Sequence, residues 1–218
     1  MIHPPLRCGR AGSRTNAGFT LVEVIVVIAV VLLLSGIAVP LISKYMDDAR
    51  IGRAKAECNT LASAFTAFYR DIGRFPTRNS TGTENHLYVL FSGTATAPTA
   101  SPWTTVPNFW TWYSSGRGDQ MVNHLLTNTP GGQSAGAYAT TGDLRWRGPY
   151  LSAAPLDPWG RPYVATIIGA FNGTATNNNY KRVFVLSAGP DGIFQTNNNV
   201  SRTTEITGDD VGVLINHR

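Results

Sequence analysis

The sequence predicts an α+β chain: one long N-terminal helix, apolar in its first half and amphipathic in its second, packed on a small antiparallel sheet. Three observations predict it. Phe19 to Val39 is an apolar run with a single charge, Glu23. Farther along, Cys58, Leu61, Ala62, Phe65, Phe68, Tyr69 and Ile72 recur at steps of three and four, the period of a helix that buries one stripe. Toward the C-terminus, Arg161 to Ile168 and Tyr180 to Leu186 read as two strands separated by a polar Asn/Gly/Thr loop. One helix stripe and one sheet face are enough to close a core.

The chain has 218 residues, 43% of them hydrophobic, which suits one modest soluble domain plus one membrane-type segment. Its formal charge of +5 is uneven. Arg7, Arg10 and Arg14 precede the apolar run, so without residues 1–18 the 18 Lys and Arg fall by three, leaving 15 against 13 Asp and Glu, or +2. That small surplus argues against nucleic acid as a partner. Cys8 and Cys58 are the two cysteines. Loss of the basic head leaves Cys58 without a mate, a small core residue rather than half of a disulfide. His3, His86, His124 and His217 are scattered and lack metal-site spacing.

Phe19 to Val39 spans 21 residues, and at helical rise that is roughly 30 Å, the thickness of a bilayer core. The run is longer than a secretory h-region and leads straight into a charged helical pattern. The arginines before it favour a cytoplasmic N-terminal side with the rest outside. A carboxylate is expensive in such a span unless paired. Were the chain cut between Gly18 and Phe19, the new α-amino group would lie about one turn from Glu23 in its own helix. In a stack of parallel helices it would reach Glu23 of a neighbour, and the pair would set axial register.

RTNAGFTLVEVIVVIAVV resembles the class III prepilin signal of type IV pilins and type II secretion pseudopilins. The resemblance implies that a prepilin peptidase cuts after Gly18 and methylates the new N-terminus at Phe19, and that Glu23 serves filament assembly. It also implies a pilin-like fold and a single-pass inner-membrane protein with its C-terminal head in the periplasm.

Pro40 follows the apolar run, and proline removes one helical hydrogen bond and bends the axis. The helical pattern nevertheless continues, with Lys44, Asp47, Asp48, Arg50, Arg53, Lys55 and Glu57 on its polar part. One kinked helix over about 19–72 is expected, ending before Gly73 and Pro76. In the resembling family a proline at the place of Pro40 is a usual feature that can melt on assembly.

Five segments follow: a leader over 1–18, a transmembrane and filament-core helix over 19–40, an amphipathic head helix over 41–76, a polar insertion over 77–147, and an antiparallel sheet with an acidic loop over 148–218. The insertion is rich in Thr, Ala, Ser, Gly, Asn and Pro, with a short apolar core at Leu87 to Phe91 and a short helix expected at HLLTNTPGG. Trp103, Phe109, Trp110, Trp112 and Tyr113 crowd one stretch, where they could complete the core, line a subunit interface or bind a sugar. A region this long between elements usually hides structure or a role.

After the second strand come SAGPDG and EITGDD. Asp191, Asp209 and Asp210, with backbone carbonyls and an Asn or Thr oxygen, make a hard-oxygen set suited to calcium; acidic turns are the bland alternative. No adjacent nucleophile or histidine pair supports hydrolysis, so the chain is not read as an enzyme. GPYL, DPWGRPY and SAGPDG are similar to the major pseudopilin family of type II secretion, in which a loop after the last strand binds calcium. The resemblance implies ligands at Ala188 (through its carbonyl), Asp191, and Asp209 or Asp210, with a structural role for the ion.

The function implied is that of a structural subunit of a pseudopilus driving type II protein secretion. It would assemble into a homo-oligomeric helical filament with minor pseudopilins on an inner-membrane assembly platform. A surface type IV pilus subunit for adhesion, motility or DNA uptake is the alternative.

Overall fold

The computed structural model describes residues 18–93, 116–167, 182–196 and 205–216. The basic head and the aromatics Trp103 to Tyr113 lie outside them, as do Cys8, His3, His217, Ile168 and Tyr180.

Helix α1 runs Leu21–Ile72 without a break at Pro40. Thr20 caps it: the Glu23 amide donates to Thr20 Oγ1 at 3.3 Å and to the Thr20 carbonyl at 3.1 Å. That is the Thr-x-x-Glu signature of a helix start, in which a side-chain oxygen satisfies one of the orphan first-turn amides. The chain divides into two compact units, Met1–Tyr45 and Met46–Arg218. In the first, the apolar side chains from Phe19 to Val39 have no protein to pack on and stay exposed. By length and composition this helix is able to cross a membrane.

In the second unit, the apolar stripe predicted on α1 is the core. Cys58, Leu61, Ala62, Phe65, Phe68 and Ile72 are buried, joined by Ala54, and Tyr69 is half-buried against them. Truncating one of the buried phenylalanines would cost about 3–5 kcal/mol. The stripe faces a five-stranded sheet made of β1 (Val89–Phe91), β2 (Gly118–Gln120), β3 (Val164–Thr166), β4 (Arg182–Ser187) and β5 (Val211–Asn216), in the order β2-β1-β3-β4-β5. Three of the four strand pairings are antiparallel, as expected, but β1 and β2 run parallel. The sheet is therefore mixed rather than purely antiparallel. The parallel pair is possible because the chain between β1 and β2 is long enough to cross over.

Both β1 and β2 come from the stretch 77–147, which thus supplies one edge of the sheet instead of standing apart from it. A short helix, α2 (Met121–Leu125), does form there, but it starts and ends earlier than expected: it overlaps HLLTNTPGG only at His124 and Leu125, and the glycines fall in a separate tight turn at Pro130–Gly132.

Side chains alternate across the sheet with period two. Leu90, Ala165, Val183 and Val185 face the α1 core. Val89, Phe91, Val164, Phe184 and Leu186 face away and form a second cluster with Ala188, Phe194, Ile206 and Leu214. Phe194 and Ile206 belong to the acidic loop region, so that region covers the second face of the sheet. It carries more apolar surface than its polar sequence suggests.

Candidate functional site

Two sites expected from the sequence are described. At the N-terminus, Gly18 and Phe19 precede the helix and are exposed. A Cβ on Gly18 would meet nothing within 4 Å, so the fold itself does not require glycine there. Glu23 sits in the first turn of α1, where the partial positive charge of the helix N-terminus favours a carboxylate. Among the described residues no ion pair to Glu23 is formed. Its charge is free to meet a cation from elsewhere. Thr20 was the residue missed by sequence reasoning, although the Thr-x-x-Glu spacing signals it.

The second site is the loop after β4. A turn closes on Ala188, whose carbonyl accepts the Gly192 amide at 3.1 Å. Asp191 is exposed and its carboxylate closes the next turn: Oδ1 accepts the Ile193 amide at 2.7 Å and Oδ2 accepts Gln195 Nε2 at 2.6 Å. Asp209 Oδ2 accepts the Asp191 amide at 3.1 Å. Asp210 Oδ2 accepts the amides of Gln195 at 3.0 Å and Thr196 at 2.6 Å. The structure thus brings Ala188, Asp191, Asp209 and Asp210 into one hydrogen-bonded loop system.

In that system Asp209 Oδ1 and Asp210 Oδ1 are buried with no hydrogen-bond partner. Buried carboxylate oxygens without donors are costly and point to a missing cation or water. Burial pushes the Asp210 carboxyl above the usual range, and neighbouring Asp209 adds to this against the opposing hydrogen bonds from Thr196 and Gln195. The donors are hard oxygens, which fit calcium. Among the described residues, no group of three or more His, Cys, Asp or Glu side chains gathers as a metal cluster. A calcium ion here would therefore rely on backbone carbonyls beside Asp209 and Asp210.

The loop is tied to the DPWG turn by residues read from the sequence only as turn formers. Asp157 is buried. Its Oδ1 accepts the amides of Trp159 at 3.0 Å and Arg161 at 2.8 Å, and its Oδ2 accepts the Ser187 hydroxyl at 2.7 Å. Ser187 Oγ in turn accepts the Gly189 amide at 3.3 Å. An Asp carboxylate that accepts the amide two residues later makes an Asx-turn, which the Asp-Pro-x-Gly spelling does signal. The link to Ser187 spans 30 residues and has no local signal.

Elsewhere, Tyr163, the residue before β3, donates its hydroxyl to Glu57 Oε2 on α1, and Glu57 Oε1 accepts Arg53 Nε at 2.9 Å. Cys58 is buried and donates weakly to the Val211 carbonyl at 3.6 Å. Burial, with the charges of Glu57 and Asp157, pushes its thiol up to about 12, so it is an inert core thiol.

Comparisons with known proteins place both sites in context. The family model for the prokaryotic N-terminal methylation motif matches residues 13–39. That for type II secretion system protein G matches residues 126–204, beginning inside the stretch 77–147 and ending before Asp209. The type II secretion system core protein G of Pseudomonas aeruginosa is 25% identical over 150 residues, covering 69% of this chain and 72% of that protein. No solved structure matches significantly.

Proposed function

We propose that this chain, a major-pseudopilin-like prepilin, is a structural subunit of a type II secretion pseudopilus. The observation that carries the reading is the exposed apolar first half of α1, capped by Thr20 and bearing one unpaired carboxylate, Glu23, at its start, joined to a separately cored head. A lone subunit satisfies that helix only in a lipid bilayer, and a bundle of parallel copies satisfies it equally well. The same segment thus serves as inner-membrane anchor before assembly and filament core after it.

In this reading prepilin peptidase cuts after Gly18 and methylates Phe19. The new amine of an incoming subunit is neutralised by Glu23 of its neighbour, which fixes axial register. Heads lie on the periplasmic side and form the shell, built on an inner-membrane assembly platform with minor pseudopilins. The subunit's work is assembly rather than catalysis. Calcium would be held by Asp209 and Asp210 with backbone carbonyls; when bound, it neutralises two carboxylates and orders the loop over the second sheet face. Asp191, Gln195 and Thr196 shape that loop through their own hydrogen bonds.

The test is expression of the full chain with and without a prepilin peptidase, followed by intact-mass and N-terminal analysis. A mature chain starting at N-methylated Phe19, recovered in filaments by electron microscopy, is expected. Filaments built from chains that retain residues 1–18 would overturn the reading.

A further inference from the structure

Gly189 and Gly192 stand between two walls. A Cβ on Gly189 would collide with the backbone carbonyl of Asp209, and a Cβ on Gly192 would collide with Arg161 Nη1. Both glycines have positive φ, 61° and 78°. One wall is therefore the acidic pair with its two orphan oxygens, and the other is a guanidinium. Arg161 Nη2 donates to the Gly189 carbonyl. Its Nε is buried without a hydrogen-bond partner and meets Asp157 Oδ2 only as an ion pair, at 3.8 Å. The arginine side chain is 28% exposed, and its guanidinium carbon lies 5.8 Å from the centre of the Trp159 ring.

We infer that Arg161 is a resident cation of this loop, holding its first half, residues 187–192, in place without metal and leaving calcium to order only the Asp209–Asp210 side. The inference extends the calcium reading above but does not depend on it. The physical argument is division of labour. A planar guanidinium presents several donors in a fixed fork, which suits a carbonyl and a carboxylate on different segments at once. Its charge faces Asp157 Oδ2, which accepts the Ser187 hydroxyl, and Ser187 Oγ in turn accepts the Gly189 amide. Every link in that chain is made by the protein's own atoms. On the opposite side the carboxylates of Asp209 and Asp210 accept backbone amides through Oδ2 and keep one oxygen each unsatisfied. That side is the one left for an added cation.

Hydrogen–deuterium exchange on the full chain in detergent tests this, with peptides covering 187–193 and 205–212, in calcium and in chelator. In the unmutated protein the 187–193 amides are expected to stay protected in chelator, while 205–212 gains protection only with calcium. Arg161→Ala is expected to speed exchange at 187–193 by about tenfold or more in chelator, the scale of a lost charge-assisted hydrogen bond, with peptides from β1 and α2 unchanged. Arg161→Lys restores the charge without the fork and is expected to recover part of the protection.

Equal exchange at 187–193 in the unmutated and Arg161→Ala proteins overturns the inference, as does loss of that protection in the unmutated protein on chelation alone. If the alanine variant does not fold, the lysine variant decides. Exchange at 187–193 faster than in the unmutated protein supports the guanidinium fork, and identical exchange overturns it. A calcium-independent 205–212 would sink the calcium reading and leave Arg161 standing.

Discussion

Ser187 Oγ donates a 2.7 Å hydrogen bond to Asp157 Oδ2, and both side chains are shut away from water. This contact joins the DPWG turn to the end of β4, where the acidic loop begins. Removing the hydroxyl leaves a buried carboxylate oxygen whose other neighbour, Arg161 Nε, is 3.8 Å away. Ser187→Ala is expected to destabilise the head by about 1–3 kcal/mol, the penalty of a buried acceptor losing its donor. Urea unfolding of the full chain in detergent, followed by tryptophan fluorescence, measures it. A midpoint equal to that of the unmutated protein would refute the coupling.

The same contact explains what was legible in the sequence. Helix α1 and its buried stripe were readable because their signal is periodic and local: Cys58, Leu61, Phe65, Phe68 and Ile72 announce a face without reference to any partner. Strands β3 and β4 were readable from β-branched residues bounded by turns. Strand β5 was absorbed into the acidic loop reading, because Gly212 interrupts its pattern and Asp209 and Asp210 precede it directly. The parallel pairing of β1 with β2 depends on 22 residues between Gly93 and Gly116 and has no local spelling. At the loop, the acidic residues were visible as chemistry. Asp157, Ser187 and Arg161, which position it, were not, since each meets its partner across 28 or 30 residues of sequence.

A second buried polar group lies at the β2 edge. Asp119 Oδ2 meets His124 Nε2 at 2.9 Å and accepts the Gly131 amide at 2.6 Å; His124 Nδ1 meets the Tyr138 hydroxyl at 2.8 Å. Burial works to raise the Asp119 carboxyl, but the hydrogen bond and charge of His124, with the amides of Gly131 and Gln120, outweigh it and hold the group below its ordinary value. A carboxyl lowered on folding contributes stability above its unfolded value of about 3.9, and that contribution is lost as pH falls through the folded value. The head should therefore weaken in acid below about pH 4. Asp119→Asn should lower stability at pH 7 by about 1–3 kcal/mol and flatten the acid limb. Melting temperatures from pH 3 to pH 7 check this, and an unchanged acid limb in the variant would count against it.

Calcium should act through Asp209 and Asp210 rather than through Asp191. The first two carry the orphan oxygens, whereas both oxygens of Asp191 already close the turn. An ion at 100 times its dissociation constant adds about 2.7 kcal/mol to stability. Asp209→Asn and Asp210→Asn are expected to abolish the calcium-dependent rise in melting temperature while costing little in chelator, because each removes a buried charge. Asp191→Ala is expected to lower the melting temperature with and without calcium. Thermal melts in calcium and in chelator separate these outcomes. A calcium shift that survives in the Asp209→Asn, Asp210→Asn double variant would remove the site from this loop.

Thr20 and Glu23 allow the two roles open to the lone carboxylate of the span to be separated. The Glu23 amide is capped by Thr20, and the Glu23 side chain is free. If the carboxylate matters as a first-turn helix stabiliser, its loss costs a few tenths to about 1 kcal/mol, and Thr20→Ala should cost a similar amount through the cap. If it matters as the partner of a neighbour's α-amine, the two variants part company. Glu23→Gln keeps the shape and a polar oxygen but removes the charge, so it is expected to leave processing and membrane insertion intact and reduce filament yield at least tenfold, a loss of about 1.4 kcal/mol or more per contact. Thr20→Ala keeps the charge and should reduce yield far less. Counting filaments by electron microscopy for both variants, with membrane fractionation as control, gives the answer. Equal yields from Glu23→Gln and the unmutated chain would remove charge pairing from the assembly mechanism, and equal losses in the two variants would make Glu23 a capping residue.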